Sequence, residues 1–91
     1  MTNRQFILEG KITNVSKGAY SKATKRWEIQ YTVEGLAGKW EVDSELNEPM
    51  TANFIAAGPR YKIGKKFLKA GKHIKIWGWQ IGDECFCEHW M

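Results

Sequence analysis

The sequence is short of the residues that build tails, cross-linked scaffolds and catalytic centres. It has two prolines in 91 residues, which argues against a long disordered tail. Its two cysteines, Cys85 and Cys87, are one residue apart. In a strand such a pair shares a face, but the geometry does not suit a disulfide between them. That excludes a disulfide framework and points to a reducing compartment, so the expected location is the cytoplasm. No stretch approaches the roughly 18 apolar residues of a membrane span, and no apolar signal core follows Met1 to Gln5. No acid pair, nucleophile–base pair or Gly-rich phosphate loop is visible. The expectation is therefore a protein that is not an enzyme and carries no cofactor. A metal site would have to use Cys85, Cys87, His89 and His73. Zinc favours CxxC-type turns that wrap the ion, so a CxC pair on a flat strand chelates poorly and lacks a fourth ligand. Two small buried thiols are the expected state.

Rings and cations are what the chain has in plenty. Trp27, Trp40, Trp77, Trp79 and Trp90 make five tryptophans, too many to bury fully in one small core, so some are expected at a binding surface. The net charge of +4 is unevenly spread. Arg60, Lys62, Lys65, Lys66, Lys69, Lys72 and Lys75 form a run without an acid, and the rest of the chain sums to −3. Such polarisation suits an anionic partner better than the net charge alone does. Glu41, Asp43, Glu45 and Glu48 form the acidic counterpart, expected to stay off nucleic acid.

The patterning is mostly that of strands. Phe6 to Val15 reads as a first strand, with Gly10 suggesting a bulge or bend. Arg26 to Glu34 is the clearest, with Trp27, Ile29, Tyr31 and Val33 alternating against polar neighbours. Gly35 to Gly38 is expected to break it, Lys39 to Asp43 to form a short edge strand, and Ser44 to Pro49 an acidic turn. Thr51 to Ala57 suits a strand or a short helix. Tyr61 to Ala70 reads as a helix, with Ile63, Gly64, Phe67, Leu68 and Ala70 on one arc and Lys62, Lys65, Lys66 and Lys69 opposite. Pro59 suits its entry and Gly71 its C-terminal cap. Gly64, on the apolar arc, suggests close packing against a sheet. Lys72 to Ile81 and Glu84 to Trp90 read as a hairpin closed by Gly82 and Asp83. Five strands with a helix between the third and fourth is the order of an OB-fold, so a mainly all-β, five-stranded barrel in one domain over residues 1–91 is expected. An SH3-like barrel lacks an amphipathic helix there.

Two places combine rings with cations. The loop from Lys17 to Arg26 carries Lys17, Lys22, Lys25 and Arg26 around Tyr20, without an acid. Lysines there attract phosphate and a ring offers a stacking surface, although a solvated turn carries lysines too. On the strand from Lys72 to Ile81, Ile74 and Ile76 take the core face. Lys75, Trp77 and Trp79 then point outward, to stack bases or to meet another subunit. Lys72 and Lys75 are better placed for a groove than the helix lysines, whose stripe reads as a solvated face beneath the barrel. The expected ligand is single-stranded DNA, with RNA an alternative, held without strong sequence preference. A protein–protein interaction module is the competing reading.

Thr51 to Ile81 (TANFIAAGPRYKIGKKFLKAGKHIKIWGWQI) resembles the second half of single-stranded-DNA-binding proteins of the OB-fold class. Phe67, Leu68, Lys69 and Gly71 match the aromatic-Leu-Lys-x-Gly helix end of that family, and Ile74, Ile76 and Gly78 match the strand that follows. Leu8 to Ser16 (LEGKITNVS) is similar to its first strand. The resemblance implies that TANFIAA is a strand, that the chain is a homodimer, and that it works in replication, recombination or repair. The last residues, Glu88 to Met91, lack the acidic tip common in that family. The likeness is therefore to a minimal tailless type, phage-borne or similar to the primosomal PriB-type relative.

Overall fold

A computed structural model describes residues 3–38 and 48–90. The elements are β1 (Asn3–Val15), β2 (Ala19–Ser21), β3 (Arg26–Gly38), β4 (Glu48–Ala57), α1 (Pro59–Phe67), β5 (His73–Ile81) and β6 (Glu84–Trp90). They form one six-stranded antiparallel sheet carrying a single short helix. β1 lies between β3 and β5. One edge of β3 is shared by β1 and β2, and the other edge is taken by β4. β6 extends the opposite end of the sheet through β5. The outer edges of β4 and β6 then face each other across an open cleft lined by residues 51–55 and 83–87. No hydrogen-bonded ladder joins them among the described residues.

One face of this curved sheet is the core. Phe6, Leu8 and Ile12 of β1 meet Ile29, Tyr31 and Val33 of β3, Ala52, Phe54 and Ala56 of β4, and Ile74 and Ile76 of β5, all buried. Each set repeats every second residue, as a half-buried strand requires. Thr51 to Ala57 is thus strand, with Thr51, Asn53 and Ile55 facing out.

Gly35 does not end β3. It lies opposite Gly10 in the β1 ladder and opposite Met50 in the β4 ladder, so pairing on both edges carries the strand on to Gly38. The two glycines allow an unusually close approach. A Cβ on Gly10 would lie 2.6 Å from the Gly35 Cα and 2.1 Å from the Glu34 carbonyl oxygen. The irregularity expected at Gly10 falls instead between Ile12 and Asn14. The expected strand at Lys39 to Asp43, with Glu41, Asp43 and Glu45, lies outside the described residues. Glu48 and Pro49 belong to β4 rather than to a turn.

The helix is shorter than its pattern suggests. It starts at Pro59 but gives way at Leu68, whose backbone is extended. Leu68 turns into the core, and the Gly71 N–H and Lys72 C=O bond to Ile12 of β1. These ties to the sheet compete successfully with another helical turn. Gly71, with φ of +89°, serves that tight connection rather than the helix cap. Gly64 packs as expected, since a Cβ there would stand 3.0 Å from Leu68, 3.4 Å from Trp90 and 3.5 Å from Ala56. Ile63, expected on the buried arc, is 58% exposed. No helix among the described residues is long and apolar enough to cross a membrane.

Candidate nucleic-acid interface

The basic loop is more ordered than a turn. After residues 16–18 the chain re-forms a ladder with β3 through β2, making a hairpin whose tip is residues 22–25. Lys25 adopts a left-handed conformation there, with φ of 57°. The Ser21 hydroxyl accepts from the Thr24 N–H at 3.4 Å, and the Thr24 hydroxyl donates to the Glu28 carboxylate at 3.0 Å. Tyr20 and Trp27 are cross-strand partners with ring centroids 5.9 Å apart, edge to face. Trp27 also lies 5.9 Å from Tyr61, in the first turn of α1. Gly18 makes room for that helix residue, because a Cβ there would stand 2.4 Å from the Tyr61 hydroxyl.

This cluster is open to solvent. Trp27 is 52% exposed and Tyr20 51%. Lys17, Lys22, Lys25 and Arg26 are all exposed around it. Sequence reasoning found Tyr20 and the four cations but missed Trp27 and Tyr61. Trp27 continues the buried register of Ile29, Tyr31 and Val33, so alternation alone assigns it to the core. Its position two residues before Ile29, at the start of β3, brings it out.

Lys75, Trp77 and Trp79 occupy a different surface. Trp77 stacks on His89 at 5.4 Å, and the Trp79 indole N–H donates to the Glu88 carboxylate at 2.8 Å. Trp79, Ile81 and Phe86 form an exposed apolar patch. Acids flank it, with Glu84 opposite Ile81 and Glu88 on Trp79; further along β5, Glu9 lies opposite Lys75 and 3.2 Å from His73. Trp77 pairs with Ile7 of β1, whereas the hairpin begins beyond Val15. Eight residues of strand separate them, roughly 26 Å. The basic loop and the tryptophan strand therefore do not face one another.

On a regular last strand Cys85, Cys87 and His89, at i, i+2 and i+4, would share one face, but β6 is irregular. A register shift between Trp77 and Gly78 puts His89 opposite Trp77 but Cys87 opposite Gly78. His89 therefore lies on the outer face, away from Cys85 and Cys87, which pack against the core. Burial pushes both thiols upward in pKa, with Tyr31 and Arg60 partly opposing this at Cys87. Burial likewise holds the Tyr31 phenol well above its usual range.

Two members of the basic run have structural roles. The Arg60 guanidinium donates to the carbonyls of Cys87 and Glu88, tying α1 to β6. The Lys72 ammonium lies 3.5 Å from the Phe67 ring centroid. Phe67 in turn stacks on Trp90 at 5.5 Å, and the Trp90 indole N–H donates to the Tyr31 hydroxyl at 2.8 Å. Lys62, Lys65, Lys66 and Lys69 are exposed. Comparison with known protein families and with curated proteins gave no match to this chain.

Proposed function

We propose that this protein is a non-enzymatic binding module for single-stranded nucleic acid, DNA foremost, on an OB-type barrel. The strand order supports the barrel reading. β1, β3, β4, β5 and β6 stand as five strands with the helix between the third and fourth, and β2 extends the first hairpin. In such folds the loop between the first two strands is a ligand-binding element. The observation that carries the proposal lies there: exposed Trp27 and Tyr20 framed by Lys17, Lys22, Lys25 and Arg26. Flat rings accept any base by stacking, and the cations accept the phosphates, so the reading includes little sequence preference. With the family resemblance, it suits a role in replication, recombination or repair in a reducing, cytoplasmic setting.

The acids around Trp79 favour a second role for the other aromatic face. Exposed Trp79, Ile81 and Phe86, rimmed by Glu84 and Glu88, suit a protein contact with an apolar centre and a polar rim, and a second copy of this chain is the proposed occupant. The test of the main reading is fluorescence anisotropy with labelled oligo(dT) and with a duplex of equal length. Tight binding of the single strand, weakening steeply as salt rises, is expected. Absence of binding at low salt would sink the proposal, and equal affinity for the duplex would sink the stacking mechanism.

A further inference from the structure

Helix lysines beneath an OB-type barrel are expected to be a solvated stripe, but here the helix is joined to the hairpin. Tyr61 of its first turn belongs to the Trp27 cluster. The Arg26 guanidinium stands near Gly58, just before the helix, with Nη1 4.0 Å from where a Cβ on that glycine would lie. One turn further on, Lys62, Lys66 and Lys72 line an open groove of about 480 Å³ around Ile63 and Phe67. None of these three lysines makes an ion pair among the described residues. No acid occurs anywhere between Arg60 and Lys75.

We propose that this groove is a phosphate track that continues the hairpin site, so that one bound strand runs from Trp27 across α1 to Lys62, Lys66 and Lys72. The inference rests on the nucleic-acid reading. Trp27 to Tyr61 is 5.9 Å between rings, and Lys66 lies about 7.5 Å further along the helix axis and about 140° around it, so the strand passes over α1 to reach it. The groove differs from the hairpin in kind. Phe67 is covered by Trp90 on one side and holds the Lys72 ammonium over its ring, leaving little aromatic surface for a base. It therefore contributes phosphate attraction without stacking.

The difference sets the experiment. Oligo(dT) of about 5 nucleotides, near the lower end of typical site sizes, and of about 20, beyond their upper end, is titrated against wild type, Lys62→Gln/Lys66→Gln and Lys62→Arg/Lys66→Arg over a range of salt. Each lost phosphate contact lowers the salt slope by about 0.7, so the glutamine pair should lose about 1.4 with the longer strand. That corresponds to about tenfold weaker binding near 0.15 M salt. The short strand, held at Trp27, should change far less, and the arginine pair should bind both as wild type does. An unchanged slope with the long strand would return these lysines to a solvated helix face. Equal loss on both lengths, or failure of the arginine pair, would overturn the track as well, by pointing to a general field or a folding role. Wild type binding neither strand would instead overturn the nucleic-acid reading itself.

Discussion

Trp27→Ala separates the two aromatic surfaces. In the folded protein Trp27 is half exposed and touches Tyr20 edge-on and Tyr61 at a tilt. Losing two such ring pairs should cost about 1–3 kcal/mol of stability, at roughly 0.5–1.5 kcal/mol per pair. The open part of the ring can stack one base, worth about 1–3 kcal/mol. Binding to oligo(dT) should therefore weaken by about 5- to 150-fold. The salt slope should not move, because an indole releases no counterion. Trp27→Phe keeps a flat ring and should retain most of the affinity. Trp79→Ala loses a hydrogen bond to Glu88 in an acidic neighbourhood and should bind nearly as wild type. The assay is anisotropy with labelled oligo(dT) at two salt concentrations, with urea unfolding to find conditions where every variant is folded. If Trp27→Ala binds normally while Trp79→Ala weakens tenfold, bases stack on β5 and β6 and the hairpin assignment is wrong. A changed salt slope in Trp27→Ala would mean that the ring acts by positioning lysines rather than by stacking.

Three further expectations concern the fold. Gly35→Ala places a Cβ 2.1 Å from the Glu9 carbonyl oxygen and 2.6 Å from the Gly10 Cα. The β1 and β3 backbones must separate, so urea titration should give a loss of at least about 2 kcal/mol, and a neutral result would refute the close approach. Tyr31→Phe removes the acceptor for the Trp90 indole N–H and should cost about 1–2 kcal/mol by the same measurement. Stability should also fall at alkaline pH. Tyr31 has its pKa raised by burial, so above about pH 10 the unfolded chain loses a proton that the folded one keeps. This group's contribution is complete below about pH 10, then declines by up to about 1.4 kcal/mol per pH unit toward the folded-state pKa. Unfolding free energies measured between about pH 8 and about pH 11 should show a shallower decline in Tyr31→Phe. An identical slope would remove Tyr31 as the cause.

Much of the sheet is local and was legible. Period-2 alternation determined the inner faces of β3 and β5, because Ile29, Tyr31, Val33, Ile74 and Ile76 satisfy it within a few residues. The apolar position of Gly64 announced a close packing contact for the same reason. Other features depend on partners far along the chain. β3 passes through Gly35 because β1 and β4 pair with it on both edges. The helix stops at Leu68 because the following residues bond to Ile12, more than fifty positions earlier. His89 leaves the cysteines because of an irregularity against β5, which the alternation of β6 alone does not reveal.

The candidate site divides along the same line. Residue types and spacing determined that Tyr20 sits among Lys17, Lys22, Lys25 and Arg26, and that Lys75, Trp77 and Trp79 point away from the core face. Only the tertiary structure decided that these are two surfaces rather than one. It also brought Trp27 and Tyr61 to the first and acids to the second. Periodicity names the face a side chain takes, but not how far the core extends beneath it. Trp27 keeps a buried register and is nevertheless half exposed, because the core ends at Ile29.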